Sequence, residues 1–264
     1  MKRLFFVDID GTILDGSRNM LKYTEKTRHA IRELKKTDHV FIASGRNKGL
    51  MDPRIYDLEP SGFVLCNGAY AEMDGKAIYS VSFERESIRR IKETVLHNDG
   101  FYIFETLNET YADPVESQAF QMFLKGWGSA LSGFSDMNEE DASYHIAMIG
   151  FRDEAGCRKA EEELQGAADL FRHHVFTSFD VNIPGVDKGL GVRKIAEYLD
   201  IPKENIYSFG DALNDLGMLQ ASGHPIIMAN SDPELKKYGF EETGDVLDDG
   251  FYRYLLANKL IKAI

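Results

Sequence analysis

The first dozen residues constrain this chain more than any other stretch. Residues 4–7 form a short apolar run, which is typical of a strand buried on both faces. The run ends in Asp8 and Asp10, followed by Gly11 and the hydroxyl of Thr12. In an open α/β sheet, ligands bind beyond the carboxyl ends of the strands, where these two acids would lie. Because close carboxylates repel each other, the pattern favours a cation-binding acidic site, although a simple turn after an edge strand would use the same residue types.

Further apolar runs end in small or polar residues in the same way. The runs at 39–43, 62–66, 206–209 and 225–228 read as strands, and amphipathic segments such as 24–36 read as helices. This alternation predicts an α/β fold with a parallel, doubly wound sheet. One edge of that sheet would then carry Asp8, Asp10, Ser44, Gly45, Lys188, Asp211, Asn214 and Asp215.

The middle of the chain has a different pattern of apolar and polar residues. Residues 175–183 alternate cleanly, with one apolar face and a second face that includes Ser178, Asp180 and Asn182. A period of two with a mostly polar second face indicates an antiparallel sheet covered on one side only. We therefore predict a catalytic core formed by 1–81 and 185–264, with an inserted α+β cap domain at 82–184.

Composition limits the partners. A formal net charge of −12 argues against a nucleic-acid surface, which would show clustered Lys and Arg. The sequence has two cysteines, and it shows neither an apolar signal segment nor a run of ~20 apolar residues. We therefore predict a soluble cytoplasmic protein that contacts no membrane. The sequence does not indicate the oligomeric state, so a monomer and a small homo-oligomer both remain alternatives.

The clustered acids point to phosphoryl chemistry. Several carboxylates that converge near a single lysine need a divalent cation, and oxygen ligands favour Mg²⁺ over zinc. Magnesium, a lysine, a serine hydroxyl and backbone amides together suit a phosphoryl group. Asp8 would attack phosphorus to give an aspartyl-phosphate, and Asp10 would protonate the leaving oxygen.

Four motifs also resemble those of the haloacid dehalogenase superfamily, in the same order along the chain. They are Asp8-Ile9-Asp10-Gly11-Thr12, Ser44-Gly45-Arg46, Lys188-Gly189 and Gly210-Asp211-Ala212-Leu213-Asn214-Asp215. The insertion after the second motif, with Asn67-Gly68-Ala69 and Asp248-Asp249-Gly250, resembles the Cof-type branch with its larger α+β cap.

The resemblance implies a magnesium-dependent phosphatase of small phosphorylated metabolites. It implies Asp8 as nucleophile and Asp10 as general acid and base. The phosphate and substrate would be held by Thr12, Ser44, Gly45, Asn67, Lys188 and Asn214. The metal would be bound by Asp8, Asp10 through its backbone carbonyl, and Asp211, while Asp215 would orient Lys188 from behind.

The substrate stays open at this stage. Sugar phosphates are the first expectation, and pyridoxal phosphate or a nucleotide is the alternative. A phosphotransferase or phosphomutase would use the same intermediate, and a binding protein would keep the fold without turnover. On the predicted cap, Asp180 and its neighbours Ser178 and Asn182 are candidates to contact the leaving group. Arg46 and the pair His173-His174 are interpreted as surface residues, the histidines because no acidic partner stands at ligand spacing.

Overall fold

The computed structural model describes residues 2–127, 143–173 and 177–264. Its strands are Leu4–Val7 (β1), His39–Ala43 (β2), Gly62–Leu65 (β3), Tyr70–Met73 (β4), Lys76–Ser80 (β5), Phe101–Glu105 (β6), Thr110–Asp113 (β7), Ile146–Gly150 (β8), Asp169–Arg172 (β9), Ser178–Asn182 (β10), Ile206–Gly210 (β11), His224–Ile227 (β12) and Glu241–Glu242 (β13). Its α-helices are Glu25–Leu34 (α1), Pro53–Tyr56 (α2), Arg85–His97 (α3), Gln118–Trp127 (α4), Glu154–Glu163 (α5), Lys188–Leu199 (α6), Leu216–Ala221 (α7), Pro233–Lys236 (α8) and Gly250–Ala257 (α9).

The chain divides into two compact units. Unit 1 comprises Met1–Gly45, Asp52–Ser80 and Asp187–Ile264, and unit 2 comprises Arg46–Met51 and Val81–Val186. The sequence placed 46–51 in the core. In the structure this segment groups with unit 2, where the amide of Lys48 donates to the carbonyl of Leu107 at 2.8 Å.

Unit 1 is built on an eight-stranded sheet of order β13-β12-β11-β1-β2-β3-β4-β5. The pairs from β13 to β3 are parallel, and the hairpin β4–β5 completes the sheet in antiparallel fashion. All four residues of β1 are fully buried, as its unbroken apolar run predicts. Helices α6 and α7 cover one face, with Val192, Ile195 and Met218 in a cluster with the apolar side chains of β1–β3. The predicted doubly wound sheet is confirmed.

Unit 2 is an antiparallel sheet of order β7-β6-β8-β10-β9 with helices packed on it. One face forms a cluster with α3 and α5 through Phe104, Ile149 and Phe179. The other face was expected to be bare, and that prediction is wrong. Apolar side chains of α4, including Phe120 and Phe123, form a second cluster with Phe101, Ile103 and Met148 of β6 and β8. The alternation in 175–183 could not show this cover because it comes from a distant helix. Residues 174–176 lie outside the described residues, and β10 begins at Ser178 after a bend at Thr177.

A short sixth core strand expected at Val246 and Leu247 is also wrong. Residues Val246–Asp248 form a 3-10 turn, and the sheet edge is instead the two-residue strand β13. The reason is local: the Asp245 side chain accepts from the amide of Leu247 at 2.8 Å, and the Asn230 side chain accepts from the amide of Val246 at 2.9 Å. Side chains satisfy these backbone donors, so no strand partner is needed.

Within the described ranges, no helix is long and apolar enough to cross a membrane.

Candidate active site

Three acids meet where β1 and β11 end. The amide of Asp8 donates to the carbonyl of Phe209 at 3.0 Å, which continues the parallel pairing of the two strands by one residue. Asp211 directly follows β11, so this pairing brings it beside Asp8. Carboxylate oxygens of Asp8, Asp211 and Asp215 lie within 4.8 Å of one another. The sequence therefore placed the acidic cluster at the correct edge of the sheet.

Lys188 lies inside this cluster and is only 1% exposed. It is the first residue of α6, and the side chain of Asp187 caps that helix by accepting from the amide of Leu190 at 2.7 Å. The Lys188 ammonium donates to Oδ1 of Asp8 and to Oδ1 of Asp215, at 2.6 Å each. A helix start thus holds one cation between two buried acids.

Asp215 is fixed from both sides and is fully buried. While its Oδ1 accepts from Lys188, its Oδ2 accepts from the backbone amides of Asp211 and Ala212 at 2.9 and 3.1 Å. A carboxylate held in this way fixes the direction of the lysine that contacts it. This geometry matches the positioning role that the resemblance implies for Asp215.

The cluster carries more negative charge than one lysine offsets. Burial raises the pKa of Asp8, and the charge of Asp215 raises it further, while Lys188 lowers it by less. Burial and the charge of Asp8 likewise raise the pKa of Asp211. Burial lowers the pKa of Lys188, but Asp215 and Asp8 more than compensate, so its pKa lies above the ordinary value. A buried group of carboxylates in this condition is stabilised by an additional cation.

The donor set fits a hard divalent metal ion. The carboxylates of Asp8 and Asp211 supply oxygen ligands, which Mg²⁺ prefers. Gly11 leaves room for them: at its φ of +87° a β-carbon would stand 2.0 Å from Oδ2 of Asp211. Thr12, predicted to bind phosphate, donates from its hydroxyl to Oδ1 of Asp211 at 3.3 Å. The residues present could therefore hold a metal at this edge.

Asp10, unlike Asp8 and Asp215, is exposed. The chain turns here because the amides of Thr12, Ile13 and Leu14 all donate to the carbonyl of Ile9, at 3.2, 2.9 and 2.9 Å. The charge of Asp10 contributes to the raised pKa of Asp8, so the two carboxylates remain within electrostatic reach. Asp10 is thus the acid of this motif that solvent reaches.

Ser44, Gly45, Asn67 and Asn214 form a polar group at the ends of β2 and β3 and after β11. Ser44 is 2% exposed, and its carbonyl accepts from the amide of Asn67 at 3.3 Å. The side-chain Nδ2 of Asn214 donates to Oδ1 of Asn67 at 3.3 Å, and a β-carbon on Gly45 would lie 3.0 Å from the same oxygen. The structure brings these four predicted residues into one connected group, while their roles toward phosphate stay predictions.

Sequence reasoning missed Asn230. Its side-chain Nδ2 donates to the carbonyl of Gly11 at 2.7 Å, and its side-chain Oδ1 accepts from the backbone amide of Val246 at 2.9 Å. It therefore ties the loop after β1 to the segment after β13. A signal was available, because Asn230 stands just past the end of β12, as the other site residues stand past theirs.

Arg46 and His173, which the sequence assigned to the surface, are both half-buried. Arg46 donates to the carbonyl of Leu50 at 3.4 Å within unit 2. The expectation that His173 lacks an acidic partner is wrong: its Nε2 lies 3.1 Å from Oδ1 of Asp180, and its Nδ1 lies 2.8 Å from the Ser178 hydroxyl. Strand β9, which the sequence did not predict, pairs with β10 and brings these side chains together. His174 lies outside the described residues.

Comparisons with known proteins agree with this geometry. The family of haloacid dehalogenase-like hydrolases matches residues 5–255. "Putative phosphatase YkrA" of Bacillus subtilis is 33% identical over 255 residues, which cover 94% of each chain. The 5-amino-6-(5-phospho-D-ribitylamino)uracil phosphatase YitU of the same organism is 24% identical, over 96% of each chain. The structure of the subclass IIB sugar phosphatase BT4131 superposes with a TM-score of 0.83 at 21% identity, covering 98% of this chain and 100% of that one. The chain therefore belongs to the haloacid dehalogenase-like hydrolases and, within them, to the Cof-type phosphatases.

Proposed function

We propose that this protein hydrolyses small phosphorylated metabolites, sugar phosphates first among them, through an aspartyl-phosphate on Asp8 and with Mg²⁺ bound. The observation that carries the proposal is the buried contact of Lys188 with Asp8 and Asp215, at 2.6 Å each, beside Asp211. This arrangement offers a fixed carboxylate nucleophile, a fixed cation for phosphoryl oxygens and oxygen ligands for a metal.

The first chemical step would be attack on phosphorus. An oxygen of Asp8 forms the new bond to phosphorus, and the bond from phosphorus to the leaving oxygen breaks. Asp10, which is exposed, gives its proton to that leaving oxygen. In the second step Asp10 takes a proton from water, the water oxygen bonds to phosphorus, and the bond to Asp8 breaks to release phosphate.

Charge on the phosphoryl group would be balanced from several directions. Lys188 supplies a buried positive charge, and Ser44 and Asn214 supply uncharged donors from neighbouring loops. Fixed donors stabilise developing charge without reorganising during the reaction.

The metal would be held by Asp8, Asp211 and the backbone carbonyl of Asp10. When bound, Mg²⁺ would polarise phosphoryl oxygens and offset the repulsion among the buried acids. Its presence would lower the pKa of Asp8 and so favour the ionised nucleophile.

The proposed substrate class follows the names of two similar proteins. YitU is named as a 5-amino-6-(5-phospho-D-ribitylamino)uracil phosphatase, and BT4131 is named as a sugar phosphatase. Sugar phosphates are therefore the first class to test, followed by pyridoxal phosphate and nucleotides. A cytoplasmic location and a monomeric or small homo-oligomeric state remain predictions.

The decisive experiment measures phosphate release from a panel of sugar phosphates, nucleotides and pyridoxal phosphate, with Mg²⁺ and with a chelator. We expect release that the chelator abolishes and that Asp8→Asn abolishes while the protein stays folded. The matched control is Asp57→Asn, which removes an exposed carboxylate and should retain activity. Transfer of phosphate to an added sugar in place of water would indicate a phosphotransferase or mutase, and normal turnover by Asp8→Asn would overturn the nucleophile assignment.

A further inference from the structure

The turn formed by Cys66, Asn67 and Gly68, here called the 66–68 turn, has an unusual backbone. Its three residues have φ values of +53°, +49° and +96°. Asparagine tolerates the left-handed region better than most residues, but cysteine does not, and successive left-handed residues are disfavoured. Such a conformation persists only where surrounding contacts hold it, and it is common at functional sites.

The contacts that hold this turn lead to predicted site residues. The amide of Asn67 donates to the carbonyl of Ser44 at 3.3 Å, and Oδ1 of Asn67 accepts from the side chain of Asn214 at 3.3 Å. Asn67 itself is only 1% exposed. The turn therefore connects the loop after β2 with the loop after β11.

The third residue of the turn packs against the start of α6. A β-carbon on Gly68 would stand 1.9 Å from the carbonyl oxygen of Asp187 and 2.9 Å from the amide nitrogen of Lys188. The backbone at Lys188 can approach the turn this closely because residue 68 has no side chain. One turn thus touches the segments that carry Ser44, Asn214 and Lys188.

We propose that Asn67 is a positioning residue, which holds Ser44 and Asn214 at a fixed separation and acts on phosphate only through them. This inference rests on the proposed phosphatase function and is an alternative to the direct phosphate contact that the resemblance implies for Asn67. Its Oδ1 accepts from the Asn214 side chain, and its backbone amide donates to the carbonyl of Ser44, so one buried residue joins the two loops that carry these side chains.

The test is a double-mutant cycle with Asn67→Gly and Asn214→Ala. Glycine keeps the left-handed backbone and removes only the side chain, so the fold is retained. We expect Asn67→Gly to lower kcat about 10- to 100-fold, as loss of an orienting partner typically does, with a smaller change in KM. In the Asn214→Ala background the same substitution should cost about threefold or less, because the side chain it orients is gone.

The matched control is Asn19, an exposed asparagine at φ +65° that caps a 3-10 turn. Asn19→Gly should keep kcat within about twofold, since surface changes away from a site have small effects. Multiplicative effects of the two cycle substitutions, or wild-type kcat in Asn67→Gly, would overturn the positioning role.

Failure of the proposed function is distinguishable from failure of this inference. If the wild-type protein releases no phosphate from any ester, the phosphatase proposal fails, and the same cycle is then run on binding of inorganic phosphate with Mg²⁺ by calorimetry. Non-additive losses in phosphate affinity would support the positioning role there, and additive losses would overturn it.

Discussion

Glu105 gives the sharpest test of the electrostatics in unit 2. It ends β6, is 7% exposed, and its Oε2 has no hydrogen-bond partner among the described residues. Burial, and then the charge of Asp180, raise the pKa of Glu105 to about 8. The folded protein should therefore keep this carboxyl protonated at a pH where the unfolded chain ionises it.

The sign and size of the effect on stability follow from this difference. Because the folded state binds the proton more tightly, the contribution of Glu105 is fully present below its unfolded pKa of about 4.5 and is lost as pH rises through about 8. At about 1.36 kcal/mol per tenfold change in acidity, the full loss is about 5 kcal/mol, of which about 4 kcal/mol falls between pH 5 and pH 9. These figures are upper limits, since solvent and side chains relax around a newly ionised group.

Glu105→Gln should remove this pH dependence because the amide stays neutral throughout. A fixed cost for placing the amide shifts the whole curve, so the informative quantity is how the difference between variant and wild type changes with pH. We expect the variant to gain several kcal/mol relative to wild type from pH 5 to pH 9, within the limit of about 4 kcal/mol.

Urea unfolding followed by circular dichroism is the appropriate assay, because it registers the loss of the helices and strands of unit 2. Glu72→Gln is the matched control: Glu72 is a buried glutamate of unit 1 that accepts from the Tyr70 hydroxyl at 2.8 Å, and its replacement should leave the transition of unit 2 unchanged. Parallel stability curves for Glu105→Gln and wild type between pH 5 and pH 9 would refute the reasoning.

Three further substitutions test other parts of the molecule. Lys188→Met should lower the free energy of unfolding by about 3–5 kcal/mol in the presence of a chelator, because two buried carboxylates lose their shared cation. An unchanged midpoint of urea unfolding would contradict this. Asn230→Ala should lower kcat about tenfold and raise the Mg²⁺ concentration needed for half-maximal rate, because the Gly11 carbonyl loses its donor; a magnesium titration that matches wild type would exclude this role. Asp180→Ala should change the ranking of substrates in the phosphate-release panel more than the rate on a small generic ester, and an unchanged ranking would show that this acid does not select the leaving group.

The acidic cluster could be predicted because its residues are close to strand ends in the sequence. Asp8 follows β1 directly and Asp211 follows β11 directly, and parallel pairing leaves one possible edge for both. Lys188 could be placed with them because its helix starts at that same edge after an Asp187 cap. In each case a local pattern and one topological rule were sufficient.

The features that the sequence did not predict depend on contacts between distant segments. Helix α4 covers β6 and β8 because Phe120 and Phe123 pack against one face of the sheet. The polar residues of β10 had suggested that this face is uncovered. The contact of His173 with Asp180 requires β9, whose four residues Asp169–Arg172 alternate too briefly to be recognised. Short edge strands give a weak period-two signal, so their partners are found only when the fold is known.

Residues that act through another side chain are the ones a single sequence leaves most open. Asparagine is common in turns of every kind because it tolerates positive φ, so residue type could not tell whether Asn67 contacts phosphate or holds its neighbours. The distinction rests on three-dimensional facts, namely its burial, its acceptance from Asn214 and its donation to Ser44. Asn230 presents the same difficulty, because its contact with Gly11 joins segments more than two hundred residues apart. The acidic cluster could thus be predicted from the sequence, whereas the proposed positioning residues became evident only once the fold brought together the loops that they connect.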